Sequence, residues 1–172
     1  MQISIERIIQ EGDISPLKWG MSGEDIAQRL LHSYPLIQKY RQGNYPFLDL
    51  DGVELYFKED FYLGLTQLII QAWRIKPKRK SRFFDFGWLH HELTYDKVLR
   101  NLERLGWAFT KYVGYYKEPV LLVDNHALFH FYDIPEPNGT YVISKVVILH
   151  PQDTQLVIDQ LGKLPYEMIH AS

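Results

Sequence analysis

Four histidines, His90, His91, His126 and His130, are the side chains in this chain best suited to chemistry. A neutral imidazole ligates metals and serves as a general base near neutral pH. His90 and His91 adjoin Glu92, just ahead of a segment with helical spacing, whereas His126 and His130 lie four apart in an alternating, strand-like segment. On a strand that spacing sets both rings on one face about 13 Å apart, at ~3.3 Å per residue. One ion cannot bridge that gap, so a metal centre would need His90 or His91 folded against His126 or His130, and a small hydrolase or metal-dependent enzyme would use His90, His91 and His126. The plainer alternative is a set of surface or hydrogen-bonded structural histidines. The carboxylates offer less. Asp49 and Asp51 share a strand face beside a turn and Glu59-Asp60 is a loop pair, with no sign of the contrasting environments that acid–base work requires. There is no Gly-rich phosphate loop, no Gly-x-Ser-x-Gly elbow and no His-Glu-x-x-His pair. The expectation is a protein without catalytic residues, metal or cofactor.

Recognition is then the default, and two features speak to it. Arg74-Ile-Lys76-Pro-Lys78-Arg79-Lys80-Ser-Arg82 is the one charge block of the chain, and Phe83, Phe84, Phe86 and Trp88 follow it. Cations that hold phosphates beside rings that stack bases describe a nucleic-acid site. A solvated connector, or a patch that steers an acidic protein partner, explains the same residues. The formal charge of −2 gives no overall pull toward nucleic acid or anionic membrane. The second feature is aromatic supply: 12 Tyr, 9 Phe and 4 Trp exceed the evident need of a thin core. Tyr and Trp are favoured interface anchors. Tyr56, Tyr62, Trp88, Tyr115 and Tyr116 join the six cations as candidate partner-binding residues. The absence of cysteine excludes disulfides and thiolate zinc sites. Glu6 interrupts the only stretch that could resemble a secretion signal, and no apolar run approaches the ~18 residues of a membrane helix. A soluble, cytoplasmic protein is expected.

The elements that must carry these residues are announced by caps and turns. Ser22 caps a helix with Ile26, Ala27, Leu30 and Leu31 on one stripe, closed at Pro35; Leu36, Ile37 and Tyr40 read as a second short helix. Residues 2–10 fit either a short strand or a helix. From Pro46 the period becomes two, and Asp51-Gly52 marks a tight hairpin followed by a third strand, Leu65 to Trp73. Thr94 caps a second helix with Val98, Leu99, Leu102 and Leu105 buried and Gly106 as its stop. Trp107–Tyr116 offers an additional strand. Val120–Val123, Ala127–Tyr132 and Tyr141–Leu149 form a second meander turning at Asp124-Asn125, and Asp153–Leu161 is a closing helix.

These elements repeat. Leu17, Ser22, Ile26 and Leu30 return 72 residues later as Leu89, Thr94, Val98 and Leu102, and Pro46–Leu55 returns after 73 as Pro119–Leu128. The expected fold is α+β, two tandem units of a helix followed by an antiparallel meander. Residues 1–75 and 83–172 are the units, 74–82 the basic connector, and the whole one compact domain.

The phrase Leu17-Lys18-Trp19-Gly20-Met21-Ser22-x-x-Asp25-Ile26 resembles the repeat start of the β-lactamase-inhibitor-protein-like superfamily, whose members set a helical segment before an antiparallel meander, some in tandem. The resemblance implies a protein-binding scaffold: an inhibitor or immunity-type protein of bacterial kind that neutralises a toxin or enzyme.

Overall fold

The computed structural model describes residues 2–31, 47–58, 64–78, 80–161 and 167–168. The expected short helix through Leu36, Ile37 and Tyr40 lies outside these residues, as do Pro35 and the Glu59-Asp60 pair.

The first segment is both a strand and a helix. β1 (Ile3–Ser4) pairs in parallel with β5 (Phe84–Asp85), and Ser4 then caps α1 (Ile5–Glu11), which ends at Gly12 in the left-handed conformation. Ile5, Ile8 and Ile9 all point inward because a helix brings residues three and four apart onto one face. Ser22 caps the next helix by accepting the Asp25 amide, as expected, but α2 is only Gly23–Ile26 and widens into a π-type turn over Ala27–Leu31. Thr94 caps α3 (Tyr95–Leu105), and Gly106 stops it at φ 71°. A left-handed residue is cheap only for glycine, which is why the helix ends there.

β2 (Phe47–Leu50) and β3 (Val53–Phe57) form the hairpin around Asp51-Gly52, with φ 55° and 99° at the two turn residues. β4 (Leu65–Ile70) stops three residues short of Trp73, because Ala72–Arg74 winds into a 3₁₀ turn instead. β6 (Phe109–Val113), β7 (Pro119–Val123), β8 (Ala127–Phe131) and β9 (Ile143–Ile148) form the second meander with its extra strand. The β7–β8 turn holds three residues, since Val123 pairs with Ala127. His126 is therefore in the turn and not on the strand, and Leu55 corresponds in depth to Phe129, not to Leu128. α4 (Thr154–Leu161) follows, and β10 (Glu167–Met168) edges β6.

The two meanders are not separate sheets. β4 pairs antiparallel with β9 through Leu68–Ile148, Ile69–Val147 and Ile70–Val146. The result is one antiparallel sheet in the order β10-β6-β7-β8-β9-β4-β3-β2. Its inner face, with Leu48, Leu55, Leu68, Leu121, Phe129 and Val146, shares one core with α1, α2 and α3. Its outer face carries a second apolar cluster, in which Val120, Leu122, Leu128 and Val147, with Ile69 of β4 beside them, meet Leu161, Val157 and Ile158 of α4. Along β2 and β3 the outward side chains are Phe47, Asp49, Glu54 and Tyr56, each one step out of phase with buried Leu48, Leu50, Val53 and Leu55.

The segment before α2 is fastened to the sheet by two backbone bonds: Gly20 N–H donates to Leu65 O (2.9 Å) and Leu65 N–H to Met21 O (2.8 Å). Gly64 makes this approach feasible. Its φ is 112°, and a Cβ there would sit 2.7 Å from the Gly20 carbonyl oxygen. Gly64→Ala combines backbone strain with a clash against unyielding main chain. We expect a loss of about 2 kcal/mol or more in urea unfolding, with Gly139→Ala, whose Cβ meets nothing within 4 Å, distinctly milder.

Candidate binding surface

Strand direction places several connections at the same end of the sheet: the β2–β3 turn, the stretch after β4, the β6–β7 loop and the β8–β9 loop. The basic segment belongs to this end and is held down by two carboxylates. Asp49 Oδ2 accepts from Arg74 Nη1 (2.6 Å) while its Oδ1 accepts the Gly52 amide (3.1 Å). Asp51 Oδ2 accepts from Ser81 Oγ (2.6 Å) and from the Arg82 amide (3.3 Å). The same Ser81 hydroxyl accepts the amides of Phe83 and Phe84, both at 3.1 Å, which fixes the entry into β5. Between these clamps Ile75 is buried and its carbonyl receives the His91 amide (2.8 Å) and faces His91 Nδ1 (3.0 Å). Lys76, Lys78, Lys80 and Arg82 remain exposed. The two ends of this basic connector are pinned, with Arg74 bonded to Asp49 and Ser81 to Asp51.

The aromatic candidates divide. Tyr115 and Tyr116 are 68% and 65% exposed at the β6–β7 loop, their rings edge to face at 5.0 Å. Glu118 shapes that loop by accepting the Tyr116 amide at 2.8 Å. Tyr56 is half-buried on the outer face and donates its hydroxyl to Glu54 (3.0 Å). Burial first, then the bond to Glu54 and its charge, push the Tyr56 phenol up to about 12. Glu54 is only 7% exposed and also takes Gln71 Nε2 at 2.8 Å. Trp88 is half-buried: its ring lies 6.1 Å from Trp107 and 6.0 Å from Phe129, with Nε1 buried and without a hydrogen bond among the described residues. It packs against the core with part of its ring still exposed. Tyr62 and Arg79 lie outside the described residues.

Sequence reasoning overlooked Trp73, Tyr132 and Ile134. Trp73 is 56% exposed and donates Nε1–H to Gln71 Oε1 (3.2 Å), while the Arg74 guanidinium lies 6.0 Å from its ring. Ile134 is 78% exposed in the β8–β9 loop. Trp73 reads as a strand residue from its neighbours; only the 3₁₀ turn swings it out. Among the described residues the exposed large hydrophobics at this end are Trp73, Tyr115, Tyr116, Tyr132 and Ile134; Leu156 of α4 is elsewhere. From β4 to β6 they span four strand spacings, about 19 Å at ~4.8 Å each.

The histidines do not converge. His90 Nδ1 accepts the Glu92 amide (3.1 Å), and burial holds its ring below the usual range. His91 is tied to Ile75. His126 packs on Gly12, where a Cβ would lie 2.6 Å from its Nδ1. His130 is on the outer face of β8, between Val120 and Lys145. Among the described residues no three His, Asp or Glu side chains are grouped to hold a metal ion. No helix among them is long and apolar enough to cross a membrane. Comparison with protein-family models, curated proteins and solved structures found no match.

Two outcomes are expected. Removing the buried Ser81 hydroxyl (Ser81→Ala) strands the Phe83 and Phe84 amides and takes one bond from Asp51, which costs about 1–3 kcal/mol and raises amide exchange in residues 81–84. Burial, then the Lys145 charge, lower His130 to about 4. The unfolded chain therefore takes up this proton more readily than the folded one. The His130 contribution is fully present above pH ~6.5 and is lost as pH falls from there through 4. It amounts to at most about 3 kcal/mol, because residual solvent screens part of it. In urea melts, His130→Gln should flatten the stability profile across that window.

Proposed function

We propose that the chain is a non-enzymatic protein-binding module of the inhibitor or immunity type, and that its partner, a toxin or an enzyme, seats an acidic surface on the loop end of the sheet. The observation that carries this is the coincidence there of Trp73, Tyr115, Tyr116, Tyr132 and Ile134 with the clamped cations Lys76, Lys78, Lys80 and Arg82. Exposed apolar side chains gathered at one site mark interaction surfaces, and aromatics supply most of the energy of such contacts. The cations speed encounter more than they deepen affinity.

We also infer that the two halves are copies of one unit, as the resemblance to the β-lactamase-inhibitor-protein-like superfamily implies. Paired backbone bonds support it. Leu17 N–H to Ile14 O recurs as Leu89 to Phe86, Met21 to Lys18 as Leu93 to His90, Leu65 to Met21 as Ile143 to Leu93, and Lys58 to Gly64 as Tyr132 to Val142. The ladder irregularities fall at Tyr56/Phe57 and at His130/Phe131, the same depth in each meander.

Nucleic-acid binding through residues 74–82 is the competing function, since exposed cations would serve it equally. Affinity capture from the native host separates the two. With the wild-type chain as bait, a protein should be retained through nuclease treatment and lost with Trp73→Ala/Tyr115→Ala/Tyr116→Ala. Lys78→Glu/Lys80→Glu should slow association roughly tenfold at low salt and much less at high salt. Retention of nucleic acid alone, abolished by the lysine changes and indifferent to the aromatic ones, would replace this proposal by the nucleic-acid one.

A further inference from the structure

A recess of about 190 Å³ opens at the opposite end of the sheet, where β4, the end of β9 and the start of α4 meet. Ile148, Leu149 and Val157 supply its apolar wall; Thr66, Gln67, His150 and Asp153 supply polar groups. The chain order explains the juxtaposition. β9 runs out at Ile148, the Asp153 amide donates to His150 O (2.8 Å), and Val157 N–H donates to Asp153 O (3.0 Å), so α4 starts directly over the β4–β9 seam.

The bonding of these groups defines what would fit. His150 Nδ1 accepts the Gln152 amide (3.0 Å), and the ring leans on Trp19 at 5.0 Å. A neutral His150 therefore carries its proton on Nε2. Thr66 Oγ1 spends its proton on Tyr56 O (3.3 Å) and keeps its lone pairs. Among the described residues neither the Gln67 amide nor the Asp153 carboxylate has a side-chain hydrogen bond or ion pair. Acceptors thus outnumber donors, and the one full charge in the lining is the negative charge of Asp153. The first turn of α4 opposes it with about half a positive charge at most, leaving the recess net negative beside an aliphatic wall.

We propose that this recess is a binding site for a primary ammonium or guanidinium group on a short aliphatic stem, the cation against Asp153 and Gln67 and the stem against Ile148, Leu149 and Val157. The chemistry is shared by a free alkylamine and by a lysine or arginine side chain of another protein. The site is at the other end of the sheet from the aromatic surface, so it stands whether or not that surface binds a partner.

The test is a ¹⁵N-NMR titration of the intact chain with n-butylammonium, butyrate and butanol, and with Nα-acetyl-lysine N-methylamide. Saturable shifts at Gln67, Leu149 and Asp153 with both amines would support the site and point to a side-chain source; shifts with butylammonium alone would support it and point to a free amine. Asp153→Asn should weaken either interaction roughly tenfold, the loss of one charge-assisted bond. Val157→Phe should abolish it by filling the recess, both variants keeping the wild-type spectrum elsewhere. The proposal is overturned if butyrate or butanol binds as well as the amine, if no probe saturates, or if neither variant changes the shifts.

Discussion

The three-residue ladder between β4 and β9 is the constraint on which the rest of the molecule depends. Without Leu68–Ile148, Ile69–Val147 and Ile70–Val146 the sheet would divide into β4-β3-β2 and β10-β6-β7-β8-β9, each with an open edge at the cut. With it, the inner residues of both meanders become one floor, and α1, α2 and α3 share one core above it. The seam also decides where α4 can go. Ile69 adds an apolar neighbour to Val147, so the outer apolar strip extends just beyond β9 and ends where Glu54 and Asp49 begin.

That boundary divides the labour of the two faces. Leucine and valine on β7, β8 and β9 recruit a helix, because leaving them in water would cost roughly 1.5–3 kcal/mol apiece. On β2 and β3 the carboxylates recruit polar partners: Asp49 takes Arg74, Asp51 takes Ser81, and Glu54 takes Tyr56 and Gln71. Apart from the local Glu54–Tyr56 bond, they join residues 17 to 30 positions apart. A flexible cationic segment is thereby turned into a surface of fixed shape, which loses less entropy on meeting another molecule.

Local chemistry was legible in the sequence where one residue type dictates one backbone state. Asp51-Gly52 announced its turn through the need for positive φ, Ser22 and Thr94 announced helix starts through a spare oxygen, and Gly106 announced a stop. Long-range partnership was not legible. Nothing in the alternation of Leu65–Ile70 says that its free edge meets residues 143–148, and nothing in Arg74 says that Asp49 claims it. The single extra residue in the Asp124–His126 turn was hidden too, and it moved His126 off the strand and reversed the facing of Leu128. Aromatic content showed that some rings must lie outside the core, without saying which. Trp88 leans on the core because its segment follows β5, and Trp73 went out because a 3₁₀ turn replaced the last residues of β4.

The seam has a consequence for how the chain is made. Ile69 and Val147 are neighbours in the sheet but 78 residues apart in the chain. During synthesis β2, β3 and β4 can pair as soon as residue 70 emerges, since hairpins close in microseconds and residues are added at about 5–20 per second. The outer edge of β4 must then wait several seconds for β9, with its amides and carbonyls unpaired and Leu68 and Ile70 without their neighbours Ile148 and Val146. Over that interval the nascent chain carries an open strand edge, the kind of surface on which two growing copies pair wrongly. The β4–β9 ladder is thus also the point at which crowding on the ribosome bears on the yield of native protein.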